Sequence, residues 1–216
     1  MSGGRRLAGE AEAPGDGPAA RPARGGATRA ALVGTARELF TERGYAGVGT
    51  EEVVRRAGVT RGALYHNFRD KQDLFRAVYE ELEVEVVEAI AARIDGIEDP
   101  LELLAEGVRA FLDACSDPVM MRIGLRDAPA VLGWEEWREI GNRHGLGLVT
   151  GGLQAAMDAG QIVQADVRTL AHVLLSAFAE ASLLVASADD PRAARVEVER
   201  TLLLVLRGLG PDTTVP

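Results

Sequence analysis

The stretch that decides the fold is residues 50–68, TEEVVRRAGVTRGALYHNF. Thr50 is a candidate helix N-cap, because its hydroxyl can accept from free N–H groups of the first turn. Glu51 and Glu52 then stand where the helix dipole favours negative charge. Val53, Val54 and Ala57 supply a narrow apolar stripe, and Gly58 follows, the residue that ends a helix in the left-handed conformation at no steric cost. Thr60 can cap a second helix over residues 61–67. On it Leu64 and Phe68, four apart, turn inward, leaving Arg61, Ala63, Tyr65, His66 and Asn67 much of the remaining surface. Two short helices joined by a three-residue turn make a helix-turn-helix, whose second helix enters the major groove in proteins that read DNA.

A net charge of −9 over 216 residues is an odd balance for a DNA binder until it is divided. Residues 1–79 hold 13 Lys+Arg against 9 Asp+Glu, a net of +4; residues 80–216 hold 11 against 24, a net of −13. Phosphates repel the acidic part, so only the N-terminal part can meet nucleic acid. Hydrophobic residues make up 47% of the chain, enough for a real core. No apolar run approaches the roughly 18 residues of a membrane span, and the N-terminus lacks the apolar segment of a secretory signal. The single Cys115 cannot pair internally and stands among apolar and acidic neighbours, which reads as a buried thiol in a reducing cytoplasm.

Outward from the central stretch, every periodic segment is helical and no clean strand occurs. Residues 1–26, rich in Gly, Pro, Ala and Arg, read as a disordered tail. Arg21, Arg24 and Arg29 at its end could reach a minor groove, or serve only as a solvated linker. A first helix runs over 28–43, with Leu32, Ala36, Leu39 and Phe40 inward and Gly44 as its stop. Asp70 caps a helix with Asp73 at the capping-box position, and Leu74, Phe75, Val78, Leu82, Val86 and Ile90 hold its stripe for over five turns. Its outer face reads as Glu80, Glu81, Glu83, Glu85 and Glu88, a solvated row of charge. Asp99-Pro100, Asp117-Pro118 and Asp190-Pro191 each place a capping acid before a helix-starting proline, and Asp166 caps another helix. Residues 128–133 read as a loop, and 134–159 as a long helical segment. The expectation is an all-α fold of about nine helices.

The segment TRAALVGTARELFTERGYAGVGTEEVVRRAGVTRGALYHNFRDKQDLFRAVYEE resembles the DNA-binding domain of TetR-family transcriptional regulators over roughly residues 27–86, most tellingly in the GV-TRGALYHNF-DK-LF run. RIGLRDAPAVLGWEEWREI followed by RHGLGL is similar to the ligand domain of one branch of that family. The resemblance implies an N-terminal three-helix helix-turn-helix domain and a helical ligand-binding and dimerisation domain over 87–210. It implies a homodimer whose last two helices, here about 166–187 and 191–208, form a four-helix interface. A small-molecule effector would shift a coupling helix over residues 70–92 and part the two recognition helices. The usual output is repression. The apolar run Leu202–Leu206 with Leu209 fits a dimer helix, and a fully buried core helix is the alternative.

A seven-residue recognition helix is roughly 10 Å long, which suits a major groove about 12 Å wide. Gly62 and Ala63 are small enough for close approach to the bases, and Arg61 can donate in bidentate fashion to guanine. Thr50 offers a hydroxyl and a helix N-terminus to phosphate. Tyr65, His66 and Lys71, the only lysine, resemble family positions that meet phosphates or flanking bases. Thr60 and Asn67 complete the candidate DNA-binding set. The partner is a double-stranded operator with an inverted repeat.

Trp134, Trp137, Gly141, His144 and Leu148 recur at helical spacing, and with Phe111, Met120, Met121 and Phe178 they can line an apolar pocket. Ordinary core packing is the competing reading. An apolar or aromatic effector is expected. An enzyme is not: His66, His144 and His172 are scattered, no metal-ligand spacing occurs, and neither metal nor cofactor is implied. A helical dimeric scaffold without sequence-specific DNA binding is the rival class, and it leaves the polar face of 61–67 and the charge split unexplained.

Overall fold

The computed structural model describes residues 21–211, with side chains from residue 26 onward. The described residues form nine α-helices and one π-helical segment, and no strand. The fold is all-α, as expected.

The first helix, α1, spans Arg21–Arg43 and ends at Gly44, whose φ of 72° is the left-handed turn that stops it. It therefore starts inside the stretch read as tail: the backbone of residues 21–26 is already helical. Good helix formers at Arg21, Ala23 and Arg24 outweigh Gly25 and Gly26. The tail expected over residues 1–20 and the arm positions of the Arg21 and Arg24 side chains lie outside the described residues.

Helices α2, Thr50–Arg56, and α3, Arg61–Asn67, are the expected pair. The cap of α3 is Thr60, whose hydroxyl accepts from the Ala63 N–H at 3.2 Å. The cap of α2 differs from expectation. Gly49 occupies that position, and Thr50 is already helical. The carbonyl of Gly49 takes the Glu52 and Val53 N–H groups, so the Thr50 hydroxyl caps nothing. Val53, Leu64 and Phe68 are buried in one cluster with Leu32, Leu39 and Phe40 of α1, a core that continues through α4 to Trp137 and Ile140.

Helix α4, Lys71–Ile94, is continuous from the head into the rest of the molecule. Asp70 caps it through the Asp73 N–H at 2.8 Å, and Asp73 in return accepts from the Arg69 N–H at 3.0 Å. Tyr79 and Glu83 join its buried stripe. The glutamate is thus no part of the solvated row, because four residues on from Tyr79 is the same helical face.

The remaining helices are α5 (Pro100–Cys115), the π-helical segment Met120–Asp127, α6 (Ala128–Leu132), α7 (Trp134–Asp158), α8 (Val167–Ser187) and α9 (Pro191–Arg207). Asp99, Asp166 and Asp190 cap α5, α8 and α9. The stretch expected as a loop, 128–133, is instead the short helix α6, with Pro129 in its first turn and Gly133 at φ 87° as its stop. Helix α8 is long and apolar enough by length and composition to cross a membrane, which the reading of apolar runs missed. His172, Ser176 and Glu180 interrupt its run without making it polar. One of its faces packs on α7 and α9, closing a second core with α5.

Candidate functional site

On α3 the side chains that could meet DNA are presented together. Arg61 is largely exposed. Its guanidinium lies 5.6 Å from the centre of the Tyr65 ring and 3.4 Å from the Glu51 carboxylate, loose contacts that an incoming base edge can replace. Tyr65 is 47% exposed, far more than a packing role needs, and Gly62 and His66 are also at the surface. Ala63 is half-buried. Asn67 turns back, its amide donating to the Ala63 carbonyl at 2.7 Å, so it braces the helix end. Thr60 is exposed but its hydroxyl is engaged as the cap.

Lys71 does not extend toward solvent. Its ammonium donates to the Tyr45 carbonyl at 2.5 Å and sits 3.9 Å from the centre of the Tyr45 ring. Burial lowers its pKa, with Asp127 acting in the opposite sense. In this position Lys71 fixes the turn after α1. Arg29 likewise lies over the Phe68 ring at 5.5 Å and meets Glu81 at 3.5 Å, inside the molecule's own surface.

Tyr45 is the joint between the head and the effector part. Its N–H donates to Asp127 at the end of the π-helical segment, at 2.7 Å. Gln72 of α4 donates to the Val131 carbonyl of α6 at 2.9 Å, and Arg76 pairs with Glu136 of α7. Any side chain at Gly44 would collide with the guanidinium of Arg122, also on the π-helical segment.

The π-helical segment also faces a cavity. Its Met120 and Leu125 form part of a largely apolar wall completed by α4, α5, α7, α8 and α9. The cavity volume is about 130 Å³, close to the ~150 Å³ apolar cavity known to accept benzene. Of the residues expected to line a pocket, Phe111, Met120, Trp137, Gly141, Leu148 and Phe178 do so, with the Phe111 and Phe178 rings 5.5 Å apart. Met121, Trp134 and His144 do not. Met121 packs on the core next to the head. Trp134, in the first turn of α7, is 51% exposed and leans on Trp137 from outside, at 5.1 Å between ring centres. His144 faces a separate groove with Arg29, Glu80 and Glu81. The lining face of α7 includes Trp137, Arg138, Gly141, Gly145 and Leu148, and His144, one residue and about 100° from Gly145, lies off it.

Known proteins bear on this arrangement. The family model described as bacterial regulatory proteins, tetR family, matches residues 32–78, and that described as the tetracyclin repressor-like C-terminal domain matches residues 101–209. The chain belongs to the TetR family. It is a TetR-family transcriptional regulator with a DNA-binding domain and a ligand-binding C-terminal part. A TetR-family regulator from Pectobacterium atrosepticum superposes with a TM-score of 0.79 at 36% identity, covering 88% of this chain and 97% of that one. The transposon Tn10 TetC protein of Escherichia coli is 28% identical over 68% of this chain and 74% of its own length. RolR, solved in complex with resorcinol, has a TM-score of 0.68 at 21% identity, covering 89% of this chain and 97% of its own, and shows the fold alone.

For this TetR-family chain the polar groups of the cavity are the part that sequence reading missed. Glu83, Asn142 and Ser182 all line it. Glu83 is only 9% exposed, accepts from the Tyr79 hydroxyl, and has its pKa raised by burial, against the lowering effect of that hydrogen bond. The signal was present: Glu83 stands four residues after Tyr79 and three before Val86 on one helical stripe. Cys115 is fully buried beside the same cavity, and burial pushes its thiol pKa up, which keeps it protonated and unreactive.

Proposed function

We propose that the protein is a cytoplasmic repressor which binds a palindromic operator as a homodimer and is released by a small, mainly apolar ligand in the cavity. One observation carries this reading. Helix α4 begins four residues after the recognition helix ends at Asn67, and its middle turns, Tyr79, Glu83, Val86, Val87 and Ile90, are a wall of the cavity. A ligand that favours a different position of that wall has a rigid lever to α3, and only such a differential interaction can shift an equilibrium. Asp127 and the Tyr45 turn give the π-helical segment a second connection to the same head.

The division at residues 27–86 and 87–210 is read as functional, since the head's core and the wall next to the cavity run together. Arg61 is assigned the base contact, with Gly62, Ala63, Tyr65 and His66 beside it and Thr50 toward a phosphate. Dimerisation is assigned to α8 and α9. Val173 and Leu184 on α8 and Val196, Leu204 and Val205 on α9 are exposed, an apolar surface that a second copy would cover. Leu202 and Leu206 are buried within the chain, so only the opposite side of α9 is available. RolR's resorcinol is a one-ring ligand, a size that the cavity volume here also suits.

A mobility-shift assay on the DNA upstream of the chain's own coding sequence tests this. A complex that survives excess random competitor DNA, and dissociates when a panel of single-ring hydrophobic compounds is added, is expected. Binding that the competitor removes altogether would overturn the repressor reading and favour the scaffold.

A further inference from the structure

Glu83 sets a chemical condition on the ligand. The residue is 9% exposed and lines a cavity whose walls include Val86, Ile90, Val108, Phe111 and Leu174. The groups that face it are few. From its own helix the Tyr79 hydroxyl donates to it; from α5 comes the buried Cys115 thiol; α7 presents Gly141 there, with Asn142 and the exposed Arg138 further along the lining. On α8 the Ser182 hydroxyl is already committed to the Ala179 carbonyl at 2.7 Å. Among the described residues no cation pairs with Glu83, whereas Glu80, Glu81 and Glu85 on the same helix each have an arginine. A buried carboxyl without a partner cation is costly as an anion and is stabilised by an opposite charge brought to it. Tyr79, Phe111, Trp137 and Phe178 add aromatic rings around the cavity, which favour a weakly hydrated cation.

We propose that the effector is a single-ring organic monocation, an apolar body carrying a quaternary or protonated amine, whose charge sits against Glu83. The proposal rests on the cavity being the effector site. A cation held there stabilises ionised Glu83 and displaces its proton, so binding tightens as pH rises. A neutral ligand that takes a hydrogen bond from protonated Glu83 has the opposite dependence.

The experiment compares phenyltrimethylammonium with tert-butylbenzene, its neutral isostere, on the full chain by calorimetry and by the combined fluorescence of Trp134 and Trp137. The cation should bind at least about tenfold tighter at pH 8, a gap that shrinks toward pH 5, and Glu83→Gln should reduce the gap to below about threefold. Neutral-probe binding by Glu83→Gln reports that its cavity is formed; should that variant not fold, the pH dependence of the wild-type gap decides. Equal or tighter binding of tert-butylbenzene, or a gap that Glu83→Gln leaves intact, would overturn the charge assignment while the cavity stands. Binding of neither probe would remove the effector cavity, and the proposal with it.

Discussion

In the head, the residues offered to DNA are neighbours in sequence: Arg61 to His66 share one seven-residue helix, fixed by the Thr60 cap below and Leu64 within. In the cavity, Glu83, Phe111, Met120, Trp137 and Phe178 come from five separate elements. The first site depends on local hydrogen bonds and one buried side chain. The second depends on the rotation of each helix about its axis. A substitution in the head should therefore act through one helix, whereas a substitution around the cavity acts through packing and can be absorbed by several.

The sharpest way to break this contrast is at Leu64, which is fully buried beneath α3. Leu64→Ala should destabilise the chain by about 2–5 kcal/mol, read as a lowered midpoint in urea. A loss well under 1 kcal/mol would mean that α3 does not depend on that core. Arg61→Ala should weaken operator binding by about 1–3 kcal/mol and relax the sequence preference at one base pair, with the fold unaffected. Unchanged affinity and preference, measured by anisotropy, would remove its base contact.

Asp127→Ala cuts the bond from the π-helical segment to the Tyr45 N–H and leaves both sites intact. It should reduce the ligand's effect on operator affinity by roughly 1 kcal/mol, about fivefold, within the usual range of coupling energies. Equal coupling in the variant would place the transmission in α4 alone. The smallest effect concerns pH. Because the folded-state pKa of Glu83 is raised by burial, the folded chain holds a proton that the unfolded chain releases once pH passes the ordinary carboxylate range. The stability that depends on that proton is present at low pH and is lost as pH rises through the raised value. Glu83→Gln lacks the titration, so its melting temperature relative to wild type should be higher at pH 8 than at pH 5. A difference that does not change with pH would mean that Glu83 titrates as it does in the unfolded chain.

Much of the head was legible because its signals are contiguous. Thr60, Gly58, Asp70, Leu64 and Phe68 act on residues within a turn or two of themselves, and the structure places each as read. Thr50 misled because Gly49, next to it, supplies the first helical carbonyl. At Lys71 the contact to Tyr45 was not legible, because the Tyr45 carbonyl lies 26 residues away and only the packed head brings it near. The cavity was half legible. Phe111, Met120, Trp137 and Phe178 are large and apolar and had to be buried somewhere. Periodicity on α7 put Trp137, Gly141 and Leu148 on the lining face but did not fix where that face ends, so Trp134 and His144 were included while Gly145 was missed. Glu83 was hidden among four other glutamates whose solvated role it does not share.

Binding of a palindromic operator by a homodimer is tested most directly by selecting bound sequences from a random pool of duplex DNA with the full chain, then footprinting the winner. An inverted repeat should be enriched, its half-site centres about one helical turn, roughly 34–36 Å, apart. Enrichment of a single, non-palindromic half-site, or of no sequence at all, would contradict it.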